Sequence, residues 1–263
     1  IDFALEGTGP AADFKTEGTV NPTELGQTVN AELSTQVSDL SRYATLAGRP
    51  LSGSVALEGN GILLTDGSRF SVTIDGQTQD IVTGIERLDP LLAGAGNIAG
   101  SFARTGVEDV QVSDLNLRTP AMSLIGDAEL TLDGSNQADF RFRLNDAGLV
   151  DPSLSGPITL NIAAQPAPDD ATATQIQILG AGADVAVDAI VASVAQDREI
   201  TGEVAASVES LAVFAPLVGQ PLGGKIDLKA SGNILPDLSR FETQLNVRSD
   251  DLRVGNATAD PLL

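Results

Sequence analysis

The chain has 263 residues, enough for one large or two ordinary domains. Hydrophobic residues make up 42% of it but aromatic residues only 3%, so a core would be aliphatic and a stacking surface for sugars or bases is excluded. The formal net charge of −21 excludes nucleic acid as a partner, because phosphates would be repelled, and disfavours attachment to anionic lipid headgroups by charge.

Histidine and cysteine are absent. This excludes histidine-based triads, cysteine nucleophiles, and zinc or haem sites built on imidazole or thiolate. The acids are dispersed and match no calcium-loop spacing. A paired-carboxylate hydrolase or a lysine-based chemistry remains possible on these grounds. Taking the whole sequence together, we expect no enzyme, with no catalytic residue, no metal site and no cofactor.

The first third of the chain alternates apolar and polar residues in short runs. Phe3 and Leu5 predict a strand before a Gly-Thr-Gly-Pro turn, and Phe14 opens a second one. Later, Asp66-Gly67 and Asp75-Gly76 separate apolar runs in the manner of hairpin turns.

The remainder continues this pattern. Residues 107–144 show the clearest alternation, which predicts a meander with one apolar face and a turn at Asp133-Gly134. Residues 165–175 predict a loop or soft boundary, and residues 184–194 favour a strand over a helix. In all, the pattern predicts about 17 strands and three or four short helices.

A repeat organises the chain. Residues 32–61 and 203–232 align without gaps at an offset of 171, with 11 of 30 positions identical. Each copy reads as a strand, a short helix ended by a glycine and a proline, and a second strand after Gly53 or Gly224. Weaker copies of the junction lie near 86–104 and 146–162.

Every predicted strand is apolar on one side only, and the loops are too short for long crossovers. A mostly β fold follows, with one long antiparallel sheet in sequential order and a few short helices. Its apolar face must fold over on itself, meet a second sheet or be covered by helices, so a closed core and an open groove both remain possible. The groove candidates are Phe70, Val72, Ile74, Met122, Leu124, Leu130, Leu132, Phe140, Phe142, Leu160, Ile226, Leu228 and Leu245.

The motifs SDLSRYATLAGRPLSGSVALEGNG and VESLAVFAPLVGQPLGGKIDLKASG, together with DFALEGTG at the start, resemble the recurring element of the TamB family of bacterial envelope proteins. These are related to AsmA-like proteins and bridge-like lipid transfer proteins. The resemblance covers essentially the whole chain and implies a sheet curled into an elongated, taco-like trough. The membrane anchor and the docking end of that family are not recognisable here, so residues 1–263 are expected to be one elongated segment of a larger protein.

The resemblance also implies a cellular location and partner proteins. It implies the periplasm of a Gram-negative bacterium, an inner-membrane anchor on the full-length protein, and an outer-membrane barrel of the TamA/BamA type docked through a part outside this segment. The first function it implies is a bridge that conducts phospholipid acyl chains towards the outer membrane. The alternative is a scaffold that assists outer-membrane β-barrel assembly and secretion through exposed sheet edges. A carboxylate-based glycosidase or a repeat adhesin is disfavoured by the scarcity of aromatic residues and the even scatter of acids.

Overall fold

A computed structural model of the chain describes residues 1–23, 26–106, 109–131, 136–193, 198–255 and 257–258. They fall into two compact units, residues 1–132 and 133–263. The fold of both is mostly β, with short helical connections, as the alternation predicts.

The described residues of the first unit form eight strands, hydrogen-bonded in chain order and each antiparallel to the next. They are β1 (Asp2–Thr8), β2 (Ala12–Thr23), β3 (Gly26–Val37), β4 (Ser52–Leu64), β5 (Phe70–Val82), β6 (Ala95–Arg104), β7 (Val110–Arg118) and β8 (Met122–Leu130). Helices α1 (Ala44–Ala47), preceded by a 3-10 turn at Leu40–Tyr43, and α2 (Asp89–Leu92) follow β3 and β5. Because β3 and β5 run in the same direction, both helices lie at the same end of the strands.

The second unit repeats the arrangement. Its strands are β9 (Gln137–Leu144), β10 (Ile158–Ala167), β11 (Ala171–Gly180), β12 (Ala183–Val191), β13 (Ile200–Val208), β14 (Leu222–Ile234), β15 (Phe241–Val254) and β16 (Ala257–Thr258), again antiparallel and in chain order. A 3-10 turn at Ala147–Leu149 follows β9. A second at Leu211–Phe214 leads from β13 into α3 (Ala215–Val218).

The topology corrects the predicted turn at Asp75-Gly76 and shows where the predicted loop at residues 165–175 lies. Asp75 and Gly76 are not a turn but lie within β5. A Cβ on Gly76 would come within 2.9 Å of Leu57 Cδ1 and 3.2 Å of Ile98 Cγ2, so the glycine makes room for side chains of both neighbouring strands. Residues 165–175 form the β10–β11 hairpin inside the second unit, with only residues 168–170 outside the strands.

Two further local predictions concern the strand after residue 182 and the turn at Asp133-Gly134. Residues 183–191 form β12, so the preference for a strand there is confirmed. The predicted Asp133-Gly134 turn lies outside the described residues.

The repeat extends beyond the aligned motif. At the same offset of 171, strands β2 to β5 correspond to β12 to β15, and each copy carries a β-bulge at the start of β4 or β14. Gly53 and Gly224 occupy it with φ of 99° and 95°, opposite Asp80 and Asp251 with φ of 50° and 53°. The shared bulge fixes the register of each strand pair in the same way.

The hairpin after each of these strands is also repeated. Leu64 N donates to Arg69 O at 2.9 Å, and in the second copy Leu235 N donates to Arg240 O at 3.0 Å. The turn acid accepts a backbone N–H two residues later in both copies, at 2.9 Å, from Ser68 to Asp66 and from Ser239 to Asp237.

Candidate functional site

One apolar face runs through strands β2 to β8 of the first unit. Directly paired residues of an antiparallel sheet point to the same side. From Phe14 the pairing leads to Thr35, Leu57, Gly76, Ile98, Leu117 and Leu124 in adjacent strands. A second row links Val20, Val29, Leu63, Phe70, Arg104, Val110 and Leu130.

The corresponding face of the second unit is more uniform. One row consists of Phe140, Ile162, Ile176, Val187, Val204, Ala230 and Leu245. The next consists of Phe142, Leu160, Ile178, Val185, Ala206, Leu228 and Val247. Two unbroken aliphatic and aromatic rows thus cross seven strands.

A row of small residues lies beside them. It runs Ala138, Ala164, Thr174, Ala189, Gly202, Gly232 and Thr243. A Cβ on Gly202 would lie 2.6 Å from Asp188 O and 3.0 Å from Ala189 Cα, and a Cβ on Gly232 would meet Glu242 O. Neighbouring backbones therefore approach closely on the apolar side. Gly18, Ala31 and Gly61 occupy the equivalent row of the first unit.

The apolar faces are only partly shielded from solvent. No large side chain among the described residues is fully buried, and Leu5, Leu130 and Leu245 are 59%, 50% and 64% exposed. The most buried hydrophobic residues, such as Leu91, Leu144 and Ala147, lie at strand ends and in helical connections.

The opposite face is polar and acidic. Glu17 pairs directly with Glu32, and at the equivalent place Asp188 pairs with Glu203. These pairs line repeat-related concave regions of about 500 Å³ and 900 Å³ in the first and second units. No cluster of three potential metal ligands occurs among the described residues.

The acids with perturbed titration have structural roles. Hydrogen bonds from Ser68 and Ser239 lower the pKa of Asp66 and Asp237, chiefly through the backbone N–H. The pKa of Asp89 is lowered because it accepts from Thr83 N at 2.7 Å and from Thr83 Oγ1 at 2.9 Å. These groups fix turns and connections, and none is paired for acid–base chemistry.

The sequence-based groove candidates belong to these faces. Phe70, Val72 and Ile74 on β5 and Met122, Leu124 and Leu130 on β8 lie on the face of the first unit. Phe140, Phe142, Leu160, Ile226, Leu228 and Leu245 lie on the face of the second unit. Leu132 lies outside the described residues.

Several members of the faces were not among the candidates. They include Leu57, Ile98 and Leu117 in the first unit and Ile162, Ile176 and Val187 in the second. These residues also alternate with polar ones, as expected for a strand with one apolar face. Only the strand register, however, shows that they belong to the same surface.

Comparison with protein-family models, with curated proteins and with solved structures gives no significant match. Within the described parts of the chain, no helix has the length and apolarity needed to cross a bilayer.

Proposed function

We propose that the apolar faces of the two units shield and conduct phospholipid acyl chains, as a periplasmic segment of a bridge between the inner and outer membranes. The single observation that carries this proposal is the pair of continuous, partly exposed aliphatic rows of the second unit. The TamB resemblance supplies the cellular setting: an inner-membrane anchor and an outer-membrane barrel partner, both outside residues 1–263.

The dimensions of the rows support an acyl ligand. Six inter-strand spacings of about 4.8 Å make a row from β9 to β15 about 29 Å long. The acyl chains of one leaflet fill about half of a hydrocarbon core of about 30 Å. A single row is thus long enough for a whole acyl chain, and aliphatic side chains offer dispersion contacts that do not fix its position.

In this proposal the sheet curls about its apolar face into a taco-like trough. The close backbone approach at Gly202 and Gly232 leaves no room for a methyl group on the apolar side. The acidic opposite face would remain in water, and headgroups would sit at the open edge.

Photocrosslinking tests the proposal with controls one residue away. A photoreactive side chain at Ile226 points to the apolar face, whereas one at Asp227 on the same strand points to the other face. Leu130 and Glu129 form a second pair on β8. With labelled phosphatidylethanolamine we expect adducts at 226 and 130 and none at 227 and 129.

Absence of adducts at both apolar positions, or equal labelling on the two faces, would overturn the proposal. The scaffold alternative makes a different prediction. Binding to an outer-membrane barrel would then persist when a charge on the apolar face abolishes lipid labelling.

A further inference from the structure

The helix-bearing edge of the first unit is a continuous ridge outside the strands. It consists of residues 38–51, 83–94 and 119–121, here called the helical ridge. The first two segments touch, since a Cβ on Gly84 would lie 2.9 Å from Pro50 Cδ. The last two are joined by a hydrogen bond of 2.7 Å from Thr119 Oγ1 to Leu91 O.

The helical ridge exposes large apolar side chains. Leu46 is 87% exposed, Ile85 42%, Leu88 43% and Tyr43 36%. The hairpin at residues 65–69, at the opposite edge of the same sheet, contains only Thr, Asp, Gly, Ser and Arg. Exposed apolar groups concentrated in connections, which are normally polar, mark an interaction surface.

The helical ridge is electrically neutral. Three arginines balance three acids in these segments, within a chain of net charge −21. Asp89 is engaged by Thr83, and Asp39 accepts from Ser41 N at 2.9 Å. Arg49 and Arg87 form no ion pair among the described residues.

We propose that the helical ridge docks on a zwitterionic phospholipid surface, with Leu46, Ile85 and Leu88 inserted below the headgroups. Arg49 and Arg87 would then bind phosphate groups, for which guanidinium is well suited. A neutral, amphipathic edge avoids the repulsion that an anionic membrane would exert on this chain. Docking goes beyond acyl-chain conduction, since it does not require lipid on the sheet faces.

Tyr43 provides an internal probe, because the chain has one tyrosine and no tryptophan. With phosphatidylcholine vesicles and the 263-residue chain, we expect acrylamide quenching of tyrosine fluorescence to fall. Replacing part of the phosphatidylcholine with phosphatidylglycerol should weaken binding.

Substitutions complete the test. Leu46→Ser should lower the vesicle partition coefficient about tenfold, since a whole apolar side chain is lost. Leu238→Ser is the matched control: it removes a leucine that is 67% exposed, in a hairpin of the second unit, and should leave partition unchanged.

Three results would overturn the proposal: unchanged quenching with vesicles, equal effects of the two substitutions, or a quenching change without vesicles that depends on protein concentration. The last would identify a second copy of the chain as the occupant. Failure here leaves the crosslinking result at Ile226 unaffected, so the two proposals are tested separately.

Discussion

Gly202→Ala tests whether the small-residue row is required by the packing of strand backbones. Its backbone is not in the left-handed region, so propensity alone predicts that Ala stabilises the strand by about 0.5–1 kcal/mol. The structure predicts the opposite sign. The new methyl group would lie 2.6 Å from Asp188 O and 3.0 Å from Ala189 Cα, both backbone atoms that move only with the sheet.

Overpacking of this kind costs about 1–3 kcal/mol, and we expect about 2 kcal/mol of destabilisation. With a urea dependence of about 1–3 kcal/mol per molar, the midpoint should fall by about 1 M. Far-UV circular dichroism of the full chain is the appropriate measurement, because tryptophan is absent.

Gly223→Ala is the matched control on the neighbouring strand β14. A Cβ there meets Arg253 Cβ at 3.7 Å, an ordinary contact, so the midpoint should hold or rise slightly. If Gly202→Ala is as stable as Gly223→Ala, close backbone approach is not what places glycine in this row.

Three further substitutions probe the bulge, the turn and the face. Gly53→Ala should lower the urea midpoint, since φ is +99° and a Cβ would lie 2.5 Å from two carbonyl oxygens of β5. Asp237→Asn should lower the thermal midpoint near pH 7, because hydrogen bonds from Ser239 lower the pKa of the carboxyl group. A lowered pKa contributes stability above the unfolded value of about 3.9 and loses it as pH falls through the folded value, so wild type and variant should converge in acid. Leu245→Asp should reduce binding of a fluorescent phospholipid about tenfold, whereas Asn246→Asp adds the same charge to the other face and should not.

The strand pattern was predictable where alternation is uninterrupted. Phe140 and Phe142 alternate with charged residues, and the structure places both on the apolar face of β9. The position of Gly76 within a strand could not be predicted, because an aspartate followed by a glycine is typical of a turn. Here the glycine is needed because side chains of the neighbouring strands occupy the space that a Cβ would fill. Those neighbours are set by register, which a local pattern does not contain.

The full length of the repeat could not be recognised from sequence identity for a related reason. In the equivalent turns Gly67 is matched by Leu238, and both have positive φ, 72° and 61°. The second turn therefore retains the backbone of the first after losing its most recognisable residue. Local identity understates the likeness when hydrogen bonds hold a residue in a conformation that it rarely adopts.

The two repeat copies retain the elements that set register, while some side chains of the apolar face change in size. The elements that set register are retained, as Gly53 with Gly224 and Asp66 with Asp237. On the apolar face Val72 is matched by Thr243 and Ile74 by Leu245, with size and branching altered. A closed core resists such changes, because a methylene group gained or lost must be absorbed by close-packed neighbours. Under the proposed function, fluid acyl chains rather than fixed side chains would contact these positions, so no packed partner would have to adapt to the changes in size and branching.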